Sequence, residues 1–405
     1  MTAYQQHYPE KNVTSVLNAP TKKHLKLTEI NYRNNRESDY TEKMQELEQN
    51  FDYEANKDHY WVEPEFSLFY GTPLYEQASP AQKLALNHLY WVGMYNLTAA
   101  SEANTILYNQ ITSSVFFSLG NTYETLCLML DMETTQERHH SHAFRSVGNA
   151  TETALLGKVL IGTASRQEES KVIHKGLAHR LAPGPVKHIF SLNWGSTPFL
   201  ASQYYSLRYI ANLMLKNKEY SHSQYCRKLE KQGEYIPAPS ALCFYHFLDE
   251  SFHTTTSLLI AQDLYKDFAK PSAYEVFVAN MVIYMAQKQI FSSLSGAIPA
   301  LYTADKTFAI PLSYQLLQTP LFGMSASEAL GWMQKCFCQE HEGFHLTLKH
   351  HQRLHGEMSR FFSNLEFLWP VNQEWKLMAK GGSISQAIAD NVGAVARFER
   401  SLDLN

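Results

Sequence analysis

The chain has 405 residues, 44% hydrophobic and 13% aromatic, enough to fill a substantial core and to build one large domain or two ordinary ones. Its formal net charge of −4 gives no basic excess of the kind a nucleic-acid or anionic-membrane surface requires, so neither partner is expected. The opening residues show no basic stretch followed by an apolar one, and no apolar run approaches about 18 residues. Five cysteines, at 127, 226, 243, 336 and 338, form no regular framework; reduced thiols in a cytoplasmic protein are the expectation.

Residues 1–75 are polar and tyrosine-rich, with one acidic helix expected around Thr41 to Glu54, and read as an arm laid over a larger body with no assigned chemistry. Ser79-Pro80-Ala81-Gln82 is a capping box with proline at the first helical position, and periodic apolar residues carry that helix to Gly120. A second cap at Asn121 opens a helix to about Gly148, completing an antiparallel hairpin. Residues 150–195 hold several Gly and Pro residues, including Ala182-Pro-Gly-Pro185, and read as an irregular insertion in which strand is possible. Ser196-Thr197-Pro198 starts a third long helix running to Gly233, and Pro237-Ala-Pro239-Ser240 starts a fourth reaching about Lys270. Capping boxes at Ser272 and Ser325 precede further amphipathic helices, and residues 381–405 suit one more. The fold class is therefore all-α.

The fourth helix contains His246-Phe-Leu-Asp-Glu250-Ser-Phe-His253, three ligating side chains at i, i+4 and i+7 that fall within roughly 60° on a helix. Glu137-Arg-His-His140 on the second helix repeats the Glu-x-x-His half of that pattern. Counting from the turns places the remaining partners. Glu102 lies 18 residues before Gly120 and Glu137 lies 17 after it, so their heights differ by less than one turn at about 1.5 Å per residue. Glu219 lies 14 residues before Gly233 and His246 lies 13 after it, and no other acidic residue occurs between Glu169 and Glu219. The set Glu102, Glu137, His140, Glu219, His246, Glu250 and His253 supplies a lone Glu from each of two helices, Glu-x-x-His from each of two others, and one extra histidine. Hard carboxylates with a few imidazoles and no thiolate suit two Fe ions, with Mn as the alternative, rather than structural zinc. Glu250 and His253 sit in an apolar run where charges rarely go unpaired, whereas isolated Glu-x-x-His pairs such as Glu219–His222 and Glu342–His345 read as surface. His139 and His142 are taken as neighbours rather than ligands, Asp249 as a partner that orients a histidine, and no catalytic residue is assigned beyond the ligands.

In the order and spacing of these motifs the sequence resembles the p-aminobenzoate N-oxygenase family of non-haem diiron oxygenases, over about residues 80 to 300. The extra histidine four residues before the last Glu-x-x-His, His246, is the specific feature. The resemblance implies a ferritin-like helical bundle, residues 76–320, between the N-terminal arm and extra C-terminal helices at 321–405. It implies O₂ as co-substrate, an external electron donor such as a reductase, oxygen transfer to the nitrogen of a small amine, free or carrier-tethered, and allows a homodimer. C–H hydroxylation and a non-enzymatic ferritin-like iron protein are the alternatives from the same constellation.

A different chemistry is offered by His341-Glu342-Gly343-Phe344-His345, the pattern of a zinc metallopeptidase, although it lacks the Gly-x-x-His continuation and lies in a histidine-rich helix that reads as solvated. Replacing Glu342 by Gln separates the two chemistries. A peptidase would lose all activity, whereas a diiron oxygenase is expected to keep its turnover essentially unchanged.

Overall fold

The computed structural model describes residues 22–162 and 193–402, and among these every regular element is a helix. Most of the 150–195 insertion, including its Pro-Gly-Pro turn, lies outside the described residues. At the N-terminus α1 (Lys23–Glu37) and α2 (Thr41–Gln49) precede the short α3 (Tyr53–Asn56) and α4 (Pro73–Gln77). The acidic helix is thus shorter than its composition suggested, and α1 was concealed by its polarity: the face it buries carries Thr28, Asn31 and Asn35 rather than apolar residues. That i, i+3, i+7 stripe is helical in period but hydrophilic in kind, because its partners across the interface are hydrogen-bonding groups.

The caps then place the bundle. Ser79 Oγ accepts from the Gln82 N–H and the Gln82 side chain accepts from the Ser79 N–H, opening α5 (Pro80–Phe117). It pairs along its length with α6 (Glu124–Leu156), which runs eight residues past Gly148. Thr197 Oγ1 caps α7 (Pro198–Gln232); Gly233 closes it at φ 65°, a left-handed conformation in which only glycine avoids a Cβ penalty. The chain returns along it as α8 (Ala238–Gln262), which ends eight residues before Lys270 and passes into a 3₁₀ turn at Leu264–Asp267. The two hairpins pack together, with α1 against α6 and α8 and α2 against α6. No described helix is long and apolar enough to cross a membrane.

The C-terminal region adds α9 (Ala273–Ile290), α10 (Ala309–Leu317), α11 (Ala326–Phe337), α12 (Glu342–Phe362), the short α13 (Pro370–Gln373) and α14 (Lys376–Gly381), and α15 (Ile384–Leu402). It is joined to the bundle by polar hooks as well as apolar packing. Asn217 Nδ2 on α7 donates to the Tyr302 hydroxyl at 2.9 Å and to the His350 carbonyl at 3.1 Å. α12 is not the solvated histidine face its composition suggested: His350 and His351 are buried and burial pushes both down to about 4, leaving them neutral.

The loop between α9 and α10 is anchored on Asp305, which is fully buried and accepts from Asn391 Nδ2 of α15 at 2.8 Å. Burial raises its carboxyl from 3.8 to about 7 against the lowering effect of its hydrogen bonds. A raised carboxyl favours the folded state while protonated, and that stability is lost as pH rises from the unfolded value toward 7. Asp305→Asn keeps an acceptor for Asn391 and removes the cost, so its Tm relative to the parent is expected to rise between pH 5 and pH 8; parallel melting curves across that range would refute the assignment.

Candidate metal centre

The inward face of α8 is polar where a bundle helix is normally apolar: His246, Asp249, Glu250 and His253 recur at helical spacing, and all are buried. Glu102 enters from α5 and Glu137 and His140 from α6, all three also buried. Two groups of ligating atoms form, each within 4.8 Å: Glu102, His140, His246 and Glu250 in one, and Glu137, Glu250 and His253 in the other. Glu250 belongs to both, the arrangement expected of a carboxylate shared by two ions.

Glu219 is placed differently. It is 1% exposed, not solvated as its lysine- and serine-rich neighbourhood suggested, and it stands outside both groups. Its Oε1 lies 2.7 Å from His246 Nδ1 and accepts from the Tyr95 hydroxyl at 2.8 Å. His246 Nε2 faces Glu102 at 3.0 Å on the other side. In this geometry Glu219 fixes the tautomer and ring orientation of His246. Asp249 does the same for His140, its Oδ2 lying 3.2 Å from His140 Nε2. His139 and His142 turn outward to Gln45 and Glu48 of α2.

The surrounding side chains hold the ligands in turn, and several gave no signal in the sequence. Asn212 Nδ2 donates to Glu250 Oε2 at 2.8 Å, and Ser141 Oγ donates to Glu102 Oε2 at 2.9 Å. Arg208 bridges Glu133 at 2.5 Å and Glu137 at 3.0 Å. Gln136 Oε1 lies 3.0 Å from His253 Nε2, and the Gln136 amide is doubly hydrogen-bonded to Asn35 of α1. The N-terminal arm thus reaches a candidate ligand through one intervening side chain.

Whether metal ions fit can be judged from charge and from orphaned atoms. Buried in this region are six carboxylates, those of Glu102, Glu133, Glu137, Glu219, Asp249 and Glu250, against the one guanidinium, Arg208, that is hydrogen-bonded among them, leaving a surplus of negative charge that divalent ions would offset. The same surplus raises the proton affinity of the imidazoles within it. Burial alone would lower His140, yet hydrogen bonds to Asp249 and Glu137 hold it at about 9. Burial likewise opposes the protonation of His246 and His253, but Glu219 and Glu102 around the one, and Glu250, Glu133 and Glu137 around the other, hold both well above the usual imidazole range. Glu137 Oε2, His140 Nδ1 and Glu219 Oε2 are buried without a hydrogen-bond partner. Unsatisfied donors and acceptors of this kind, converging with carboxylate surplus, are what a metal pair satisfies.

A cavity of about 170 Å³ opens onto this cluster. Its lining includes the carboxylates of Glu102, Glu137 and Glu250 and the apolar side chains of Met94, Leu97, Leu215 and Leu301; Leu301 comes from the loop before α10. Lys218 also lines it; burial pushes this lysine down to about 8, with the charge of Glu219 working against the shift, so the ammonium is the major form at neutral pH.

The His341–His345 motif makes no comparable site. His341 precedes α12 and its Nε2 lies 2.7 Å from the Cys336 carbonyl, whereas the exposed His345 pairs with Glu340 at 2.9 Å. The intervening Gly343 serves close packing, since a Cβ there would stand 2.5 Å from the Gly296 carbonyl oxygen. Neither histidine belongs to a group of three ligating side chains among the described residues.

The shared position of Glu250 gives a graded expectation for metal content. Iron-loaded protein is expected to hold about two ions per chain, His253→Ala about one, and Glu250→Ala well under one. Elemental analysis in which both variants lose iron equally would show that Glu250 is not shared.

No curated protein and no solved structure matches the chain. A family model described as "Acyl halogenase CylC-like" matches residues 23–178 and 164–399. The match takes in the arm from residue 23, the bundle and the C-terminal helices; this family is of non-haem diiron type, and the buried carboxylate and imidazole cluster is consistent with that. The chain is a member of the CylC-like acyl halogenase family.

Proposed function

We propose that this protein is an O₂-dependent diiron enzyme that halogenates a C–H position of an acyl substrate. The observation that carries the reading is the cavity: Met94, Leu97, Leu215 and Leu301 line the same space as the carboxylates of Glu102, Glu137 and Glu250. Such a lining binds a hydrocarbon chain by burial, worth about 25 cal/mol per Å² of apolar surface removed from water. The family match supplies the reaction class, halogen transfer to an acyl group.

Glu102, Glu137, His140, His246, Glu250 and His253 would hold two iron ions, which supply the oxidising power when bound. Everything else falls to the chain. Glu219 and Asp249 keep His246 and His140 in one tautomer, Gln136 does so for His253, and Asn212 holds Glu250. The apolar lining orients the substrate and excludes water that would compete with halide. The overall reaction balances with an external electron donor: the substrate C–H and one halide become C–X, while O₂, two electrons and three protons leave as two waters. The acyl group enters free or tethered to a carrier.

A second reading is N-oxygenation of an amine, favoured by the order of the ligand motifs and by the third histidine, His246. The test is incubation of iron-loaded protein with O₂, a reductant, bromide and acyl substrates of graded chain length, with mass spectrometry of the products. The halogenase reading expects a bromine isotope doublet on the acyl chain. A nitroso or nitro product from an added arylamine, with no halogen incorporated into any acyl chain, would replace it with the second reading.

A further inference from the structure

The cavity face of α7 runs Arg208, Ala211, Asn212, Leu215, Lys218, so two cations stand on one helix face about 15 Å apart at 1.5 Å per residue. Their situations differ. The Arg208 guanidinium is committed to Glu133 and Glu137. Lys218 is 7% exposed and makes no hydrogen bond or ion pair with any described residue. Its neighbour Glu219 is turned to Tyr95 and His246. Lysine is almost never buried without a counter-charge, because desolvating an ammonium costs several kcal/mol. A buried lysine can shed its proton; while Lys218 stays charged, an anion from outside the chain lying against Nζ compensates it.

We propose that Lys218 holds a halide ion in the cavity that the candidate metal ligands Glu102, Glu137 and Glu250 also line. An ammonium is a compact point charge, whereas carboxylate and phosphate groups are best held by the planar fork of arginine, which here is already occupied. The neighbours of Lys218 one turn back on α7, Met214 and Leu215, add no hydrogen-bond donor beside it, and a weakly hydrated monatomic anion needs fewer donors than a polyatomic one. Low dielectric around the ammonium strengthens the attraction. The assignment deepens the halogenase reading and rests on it for the identity of the anion.

The test is bromide binding to crystals of the iron-loaded protein kept free of O₂, located by anomalous scattering, in the parent, Lys218→Met and Lys218→Arg, with iron content measured alongside. A bromide peak within hydrogen-bond distance of Lys218 Nζ, lost in Lys218→Met at unchanged iron content and retained in Lys218→Arg, is the expected result. In solution Lys218→Met should bind bromide at least about tenfold more weakly and shift products from brominated toward hydroxylated chains. No peak at Nζ in the parent overturns the proposal, as does an unchanged peak in Lys218→Met. A parallel soak with octanoate covers the other source of negative charge: a carboxylate at Nζ with bromide excluded also overturns it and makes Lys218 a substrate anchor. The two readings fail separately. Bromide at Lys218 without any brominated product would sink the halogenase reading alone, whereas bromination unaffected by Lys218→Met would sink the halide site alone.

Discussion

The structure is organised around a surplus of negative charge buried at the centre of two helical hairpins. Carboxylates from α5, α6, α7 and α8 converge where water is excluded, and a single guanidinium, that of Arg208, is hydrogen-bonded among them. An arrangement of like charges in low dielectric is unfavourable unless cations or protons enter it. The carboxylates around His140, His246 and His253 raise the proton affinity of these imidazoles, the same attraction for positive charge that two metal ions would meet. The surplus also accounts for the polar inner faces of the bundle. Asn212, Ser141 and Gln136 each spend their hydrogen bonds on a candidate ligand or its partner.

Elements at the margin of the bundle turn out to support its centre. α1 buries asparagines: Asn35 grips Gln136, and Asn31 donates to the Phe252 carbonyl and to Thr256 beside the ligand helix. Thr256 in turn donates to Glu133, the partner of Arg208. The C-terminal region closes the other side, with the loop carrying Ala300, Leu301, Tyr302 and Thr303 forming cavity wall. Ala300 is held there at φ 56°, a left-handed conformation that costs a residue with a Cβ about 1 kcal/mol or more. Such strain persists only where surrounding contacts impose it, here the hydrogen bonds of Ser293 and Ser295 to Tyr302 and Leu301.

Function follows from where polar and apolar surfaces meet. Carboxylates and apolar side chains line one cavity, the combination on which the proposed binding of an apolar substrate rests. Membership of the CylC-like acyl halogenase family is the ground on which a reaction is proposed for that geometry. Lys218, buried and without a hydrogen bond or ion pair to any described residue, lines the same cavity as Met214 and Leu215.

Much of this was legible in the chain because helices are local. Caps at Ser79, Thr197, Ser272 and Ser325 and the close at Gly233 are set by residues three or four positions apart, and each helix begins where its cap requires. The convergence of Glu102, Glu137, His140, His246, Glu250 and His253 could be counted from the turns, because helix rise converts residue number into height. The partners of those ligands could not. Arg208, Asn212 and Asn35 are ordinary helix residues whose roles come from side chains across an interface, and no periodicity encodes which face of α1 meets α6. The same limit applies to Glu219, whose sequence neighbours look solvated although the fold buries it behind His246, and to the histidines of α12, which a polar composition placed in water and packing put in the core. Local spacing determined which residues lie level with one another; burial and hydrogen-bond partnership, which depend on what packs against each face, were decided only by tertiary structure.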